Sequence, residues 1–95
     1  MRFFQALILL VLFIAHEQAG ADQDLLEQAR DYLRKGEPKA AVIQLKNLLQ
    51  DNPENADARV LIGESYLMLG DGPSAAKELE KARDLGVSRD RWTVP

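Results

Sequence analysis

From residue 25 onward the apolar positions recur at intervals of three and four, the pattern of helices that bury one face. Leu25, Leu26, Ala29, Tyr32 and Leu33 form the first stripe, and Gly36 closes it, because glycine takes the left-handed conformation at a helix C-terminus without a Cβ clash. Pro38 suits the first turn of the next helix, where its missing N–H costs nothing, and Ala41, Val42, Leu45, Leu48 and Leu49 make the second stripe. The run Asp51-Asn52-Pro53-Glu54-Asn55 breaks the pattern. Pro53 pushes the residue before it out of the helical region, and Asn55 carries the side chain of an N-cap. Val60, Ile62, Gly63, Tyr66, Leu67 and Leu69 mark a third helix, Gly70-Asp71-Gly72-Pro73 a turn, and Ala75, Ala76, Leu79, Ala82 and Leu85 a fourth helix stopped by Gly86. Turns this short predict antiparallel neighbours.

The third and fourth stripes repeat the first and second at an offset of 34 residues. That shift places Tyr32 on Tyr66, Leu33 on Leu67, Gly36 on Gly70, Ala41 on Ala75 and Leu45 on Leu79, and pairs Ala29 with Gly63. The chain is therefore expected to hold two units, residues 22–55 and 56–89, with 90–95 starting a third. Each unit buries only part of its apolar face, and about three are usually needed for stability. Two units alone predict a fragment of a longer array, with Ala82, Leu85 and Trp92 exposing surface meant for the next helix.

Composition narrows the function. Twelve Lys and Arg against 15 Asp and Glu give a net charge of -3, the wrong sign for a phosphate-binding surface, so no nucleic-acid partner is expected. There is no cysteine, and the one histidine, His16, lies near the N-terminus. Past residue 21 the chain thus lacks the commonest neutral-pH acid/base and the usual zinc ligands. No metal, cofactor or small-molecule substrate is expected.

The N-terminus reads as an export signal. Arg2 is followed by the ten-residue apolar run Ala6–Ala15, ended by His16-Glu17-Gln18. A membrane-spanning helix needs about 20 apolar residues, and a run this short fits a signal-peptide core. Ala19-Gly20-Ala21 supplies the small residues of a cleavage site at Ala19 and Ala21, so residues 1–21 are expected to be a signal peptide removed after Ala21. The competing reading is an uncleaved anchor, through which the protein would meet a membrane.

The remaining candidates for chemistry are carboxylates such as Glu64, Glu78 and Glu80. Glu78 and Glu80, two apart, point to different sides of a helix and cannot act as a close pair. They read as solvated surface charge, and catalytic residues as none. Gly70-Asp71-Gly72 suggests a nucleotide loop only superficially, because no strand precedes it.

Ala29, Tyr32, Gly36, Ala41 and Pro53 in the first unit, and Gly63, Tyr66, Gly70, Ala75 and Ala82 in the second, give the sequence a pattern that resembles the tetratricopeptide repeat. Leu25 and Gln28, and Arg59 and Ile62, stand where that repeat often carries a bulky aromatic and a leucine, and Val87 where it carries proline. The resemblance implies an all-α tetratricopeptide-type α-solenoid of two helix-turn-helix repeats and no enzymatic activity. It also implies a concave groove for a protein or peptide, lined by Leu26, Arg30, Leu33, Arg34, Val60, Glu64, Leu67 and Met68, with Arg30, Arg34, Glu64 and Met68 as partner-binding residues. In the competing reading Leu26, Leu33 and Leu67 are core, and Arg30 pairs with Glu64 across helices. Leu26 and Val60 stand where chaperone-binding repeats use Asn and Lys, which argues against a terminal carboxylate as ligand.

The stretch from Tyr32 to Val87 is also similar to the opening repeats of exported tetratricopeptide proteins of bacterial PEP-CTERM/exosortase systems, which accompany exopolysaccharide loci. That implies a periplasmic or envelope scaffold, in protein sorting or polysaccharide export. The lipid anchor common there needs a cysteine that this chain lacks. The alternatives are a non-catalytic positioning domain of a larger envelope enzyme and a membrane-tethered adaptor.

Overall fold

Four helices carry the apolar stripes: α1 (20–34), α2 (Pro38–Asp51), α3 (Ala56–Met68) and α4 (Gly72–Asp84). The structure, a computed structural model, describes residues 20–86. Most of the leader assigned to 1–21, including Ala19, lies outside the described residues, as do Trp92 and the expected start of a third unit. Ala21 lies in α1. Among the described residues there is no strand and no helix long and apolar enough to cross a membrane. The fold class is all-α, in keeping with a tetratricopeptide-type solenoid.

The chain reverses by the same chemistry in both units. Glu37 N–H donates to Tyr32 O (2.8 Å) and Gly36 N–H to Leu33 O (3.1 Å). Thirty-four positions later Asp71 N–H donates to Tyr66 O (2.9 Å) and Gly70 N–H to Leu67 O (3.0 Å). This crossed pair is the Schellman closure, which needs a residue at positive φ, and Gly36 and Gly70 supply it at φ 73° and 76°. The following helices start on proline or on a side-chain cap. Pro38 opens α2, the Asn55 side chain accepts from Ala58 N–H (3.0 Å) to start α3, and Asp71 accepts from Ser74 N–H (3.1 Å) to start α4.

The core runs through the junction between the two hairpins. Leu26 and Ala29 of α1, Ala41, Val42, Leu45, Leu48 and Leu49 of α2, and Ala58, Leu61 and Ile62 of α3 form one buried cluster, edged by Tyr32 and Tyr66. Each fully buried leucine contributes about 2 kcal/mol by removal of its apolar surface from water. α3 lies between α2 and α4 and is buried on more than one side, so Val60, Leu61, Ile62, Gly63 and Ser65 are all withdrawn from solvent. Ser65 tolerates this because its hydroxyl donates to Leu61 O at 2.7 Å. A Cβ on Gly63 would stand 2.8 Å from the Cγ and Cδ2 of Leu79, so the missing side chain sets how closely α3 and α4 approach. Ala82, expected to expose surface for a further helix, is instead 0 % exposed, packed with Val60 and Ala56. The small side chain at that position serves the α3–α4 contact. Leu85 remains exposed.

Candidate functional site

Leu26 and Ala29 of α1 share one buried cluster with Leu61 and Ile62 of α3, and two chain reversals make these helices parallel. Between the two helices lies an open cleft of about 380 Å³, lined by Arg30, Leu33 and Arg34 of α1 and by Asp57, Val60, Leu61 and Glu64 of α3. Residues three and four apart share a helix face, so each helix presents one coherent wall. Leu33, Val60 and Leu61 give the cleft an apolar base. The α1 wall carries guanidinium groups and the α3 wall carboxylates.

Short pairs along α1 hold its cations in place. Arg30 Nη1 donates to Glu27 Oε1 at 2.8 Å, and Arg34 Nη2 stands 3.6 Å from Asp31 Oδ1. Asp31 also pairs with Lys35 at 2.8 Å. The hydrogen bond and charge of Lys35 hold the Asp31 carboxyl below the ordinary carboxylate range and raise the Lys35 ammonium above its own. These groups are solvated, and such pairs contribute little to stability.

Of the residues expected to bind a partner, Arg30, Arg34 and Glu64 come together in this cleft. Met68, one turn beyond Glu64, is 51 % exposed and lies outside the cleft lining. Of the other expected groove positions, Leu33 and Val60 line the cleft, Leu67 is exposed outside it, and Leu26 is buried in the core. Sequence reasoning missed Asp57 and Leu61. The signal for Asp57 was its place seven residues before Glu64, two helical turns away and on the same side.

A second departure lies on the opposite side of α3. Glu78, read as solvated surface charge, is only 13 % exposed, and its Oε2 accepts from Arg59 Nη1 at 2.8 Å. Arg59, itself 14 % exposed, also donates from Nε and Nη2 to Pro53 O at 3.1 and 2.9 Å. The guanidinium fork thus ties the inter-repeat turn to α4 from the position where the repeat often holds an aromatic ring. Lys81 stands 3.8 Å from Glu78. Among the described residues no group of three or more His, Cys, Asp or Glu is placed to hold a metal ion.

The family model of the tetratricopeptide repeat matches residues 26–86, more than half of the 95-residue chain. No curated protein and no solved structure matches it. The matched span takes in the greater part of α1, all of α2, α3 and α4, and the two glycine closures spaced 34 residues apart, and the chain belongs to the tetratricopeptide repeat family.

Proposed function

We propose that this protein is an exported, non-catalytic scaffold of a bacterial envelope system, and that it holds a partner protein or peptide in the cleft between α1 and α3. Tetratricopeptide repeats are protein–protein interaction modules, and stacked helical pairs present their first helices to the ligand. The observation that carries the reading is the convergence of Arg30, Arg34, Asp57 and Glu64 around an apolar base formed by Leu33, Val60 and Leu61. Charged groups that fix orientation, set beside a partly exposed apolar side chain, are suited to a peptide ligand. Export rests on the leader pattern of residues 1–21, and a role in PEP-CTERM protein sorting or exopolysaccharide export rests on the sequence similarity alone.

The test is capture from an envelope extract with the protein and with Arg30→Glu/Arg34→Glu, both checked for equal helicity by circular dichroism. A partner retained by the parent and lost by the variant supports the cleft. Equal capture by both contradicts it. N-terminal sequencing of the protein recovered from its native envelope tests export, with Asp22 expected as the first residue and an intact Met1 as the contrary result.

A further inference from the structure

The cleft opposes two walls of opposite charge, and we infer, on the reading that it holds a partner, that its occupant is an extended peptide strand of alternating charge. Acidic residues at i and i+2 face α1, and basic residues at intervening positions face α3. Arg30 and Arg34 are four residues apart, about 6 Å along the helix axis, which matches the roughly 6.7 Å between alternate residues of an extended strand. Successive strand side chains point to opposite sides, so a strand that turns its acids to α1 turns the next positions to α3. Asp57 and Glu64 are seven residues apart, about 10.5 Å along α3. That falls between the spans of two and four strand residues, about 7 and 13 Å, and flexible Lys or Arg stems cover the difference.

The local pairs leave capacity for this ligand. A guanidinium has five N–H donors, and Arg30 gives Glu27 one hydrogen bond. A carboxylate has about four acceptor sites, so Asp57 and Glu64 can accept from a ligand in addition to the partners they already have. A wholly acidic peptide is repelled by the α3 wall and a wholly basic one by the α1 wall, so the cleft selects against both. Half-buried Leu33, beside the cations of α1, offers apolar surface to the aliphatic stems of the ligand's side chains.

Two fluorescein-labelled octapeptides of equal composition separate alternation from net charge: in one, glutamate and lysine alternate, and in the other all the glutamates precede all the lysines. They are titrated against the full chain by anisotropy at about 0.01 M and about 1 M salt, where the Debye length is about 30 Å and about 3 Å. The alternating peptide is expected to bind at least about tenfold more tightly at low salt and to lose that advantage at high salt. Arg30→Glu/Arg34→Glu abolishes the preference. Adding Asp57→Lys/Glu64→Lys exchanges the walls and restores it, since the strand re-registers by one residue. Equal binding of the two peptides, or failure of the exchanged variant to recover despite native helicity, overturns the inference. The cleft as a docking site then stands or falls separately, on whether the captured envelope partner is lost with Arg30→Glu/Arg34→Glu.

Discussion

Replacement of Arg59 probes how α4 is fastened to α3 and to the turn that precedes α3. Arg59→Ala removes a charge-assisted hydrogen bond to Glu78 and two to Pro53 O, and leaves a carboxylate that is 13 % exposed without its nearest cation. Breaking a fully buried pair costs about 3–5 kcal/mol. Here Lys81 stays 3.8 Å from Glu78 and Pro53 is exposed, so water and Lys81 recover part of the loss, and the expected destabilisation is about 2–3 kcal/mol. Arg59→Met/Glu78→Met removes both charges together and leaves neither unpaired. It is expected to fall within about 1 kcal/mol of the parent, because apolar replacement of an ion pair is often neutral. Urea unfolding followed by helicity, with the slope checked for constancy, measures both variants. An Arg59→Ala variant within about 0.5 kcal/mol of the parent, the range of ordinary surface substitutions, would show that the Arg59–Glu78 pair contributes nothing to stability.

Gly63→Ala sets an overpacking cost of about 1–3 kcal/mol from the Leu79 contact against a helix-propensity gain of about 1 kcal/mol. A net loss near 1 kcal/mol is expected, reduced in a Leu79→Ala background, and additive costs in the double-mutant cycle would contradict the close approach. Asn55→Ala removes the cap of α3 and should cost about 1 kcal/mol in the same unfolding assay. The Asp71 carboxyl is held below its ordinary range by hydrogen bonds from the Ser74 hydroxyl and backbone N–H, as that of Asp31 is by Lys35. Their stabilisation is complete above the usual carboxylate range of about 4 and is lost as pH falls through the lower folded values. Asp31→Asn/Asp71→Asn should therefore flatten the acid limb of a Tm–pH profile, and an unchanged limb would show that neither depression matters.

The helices and turns were legible because each rests on local chemistry. Gly36 and Gly70 occupy the left-handed closures, Pro38 opens α2, and Asn55 caps α3. The 34-residue offset also fixed which stripes are equivalent, and with it the core identity of Ala29, Ala41 and Leu45. Less legible were contacts across the helical hairpin. Arg59 and Glu78 are 19 positions apart, and nothing in either helix's own pattern says that the two meet, so Glu78 read as solvated. Ala82 read as exposed because the sequence shows which face is apolar but not that Val60 and Ala56 already cover it. Arg30, Arg34 and Glu64 were found from their places in the repeat. Met68 shares a helical stripe with Glu64, but the cleft between α1 and α3 ends before its turn. Sequence periodicity gives the face of a helix, not how far a neighbouring helix runs beside it.

Two tandem hairpins set α1 and α3 side by side, so that their charged faces meet across one cleft. The absence of cysteine allows a clean test with Arg34→Cys/Glu64→Cys, treated with a short bis-maleimide under dilute conditions and digested for mass spectrometry. The control is Arg34→Cys/Lys77→Cys, since Lys77 is exposed on α4 and outside the cleft lining. An intramolecular bridge between positions 34 and 64 is expected in high yield, with little bridging in the control. Equal yields, or a bridge only to position 77, would contradict the tandem stack and the cleft with it.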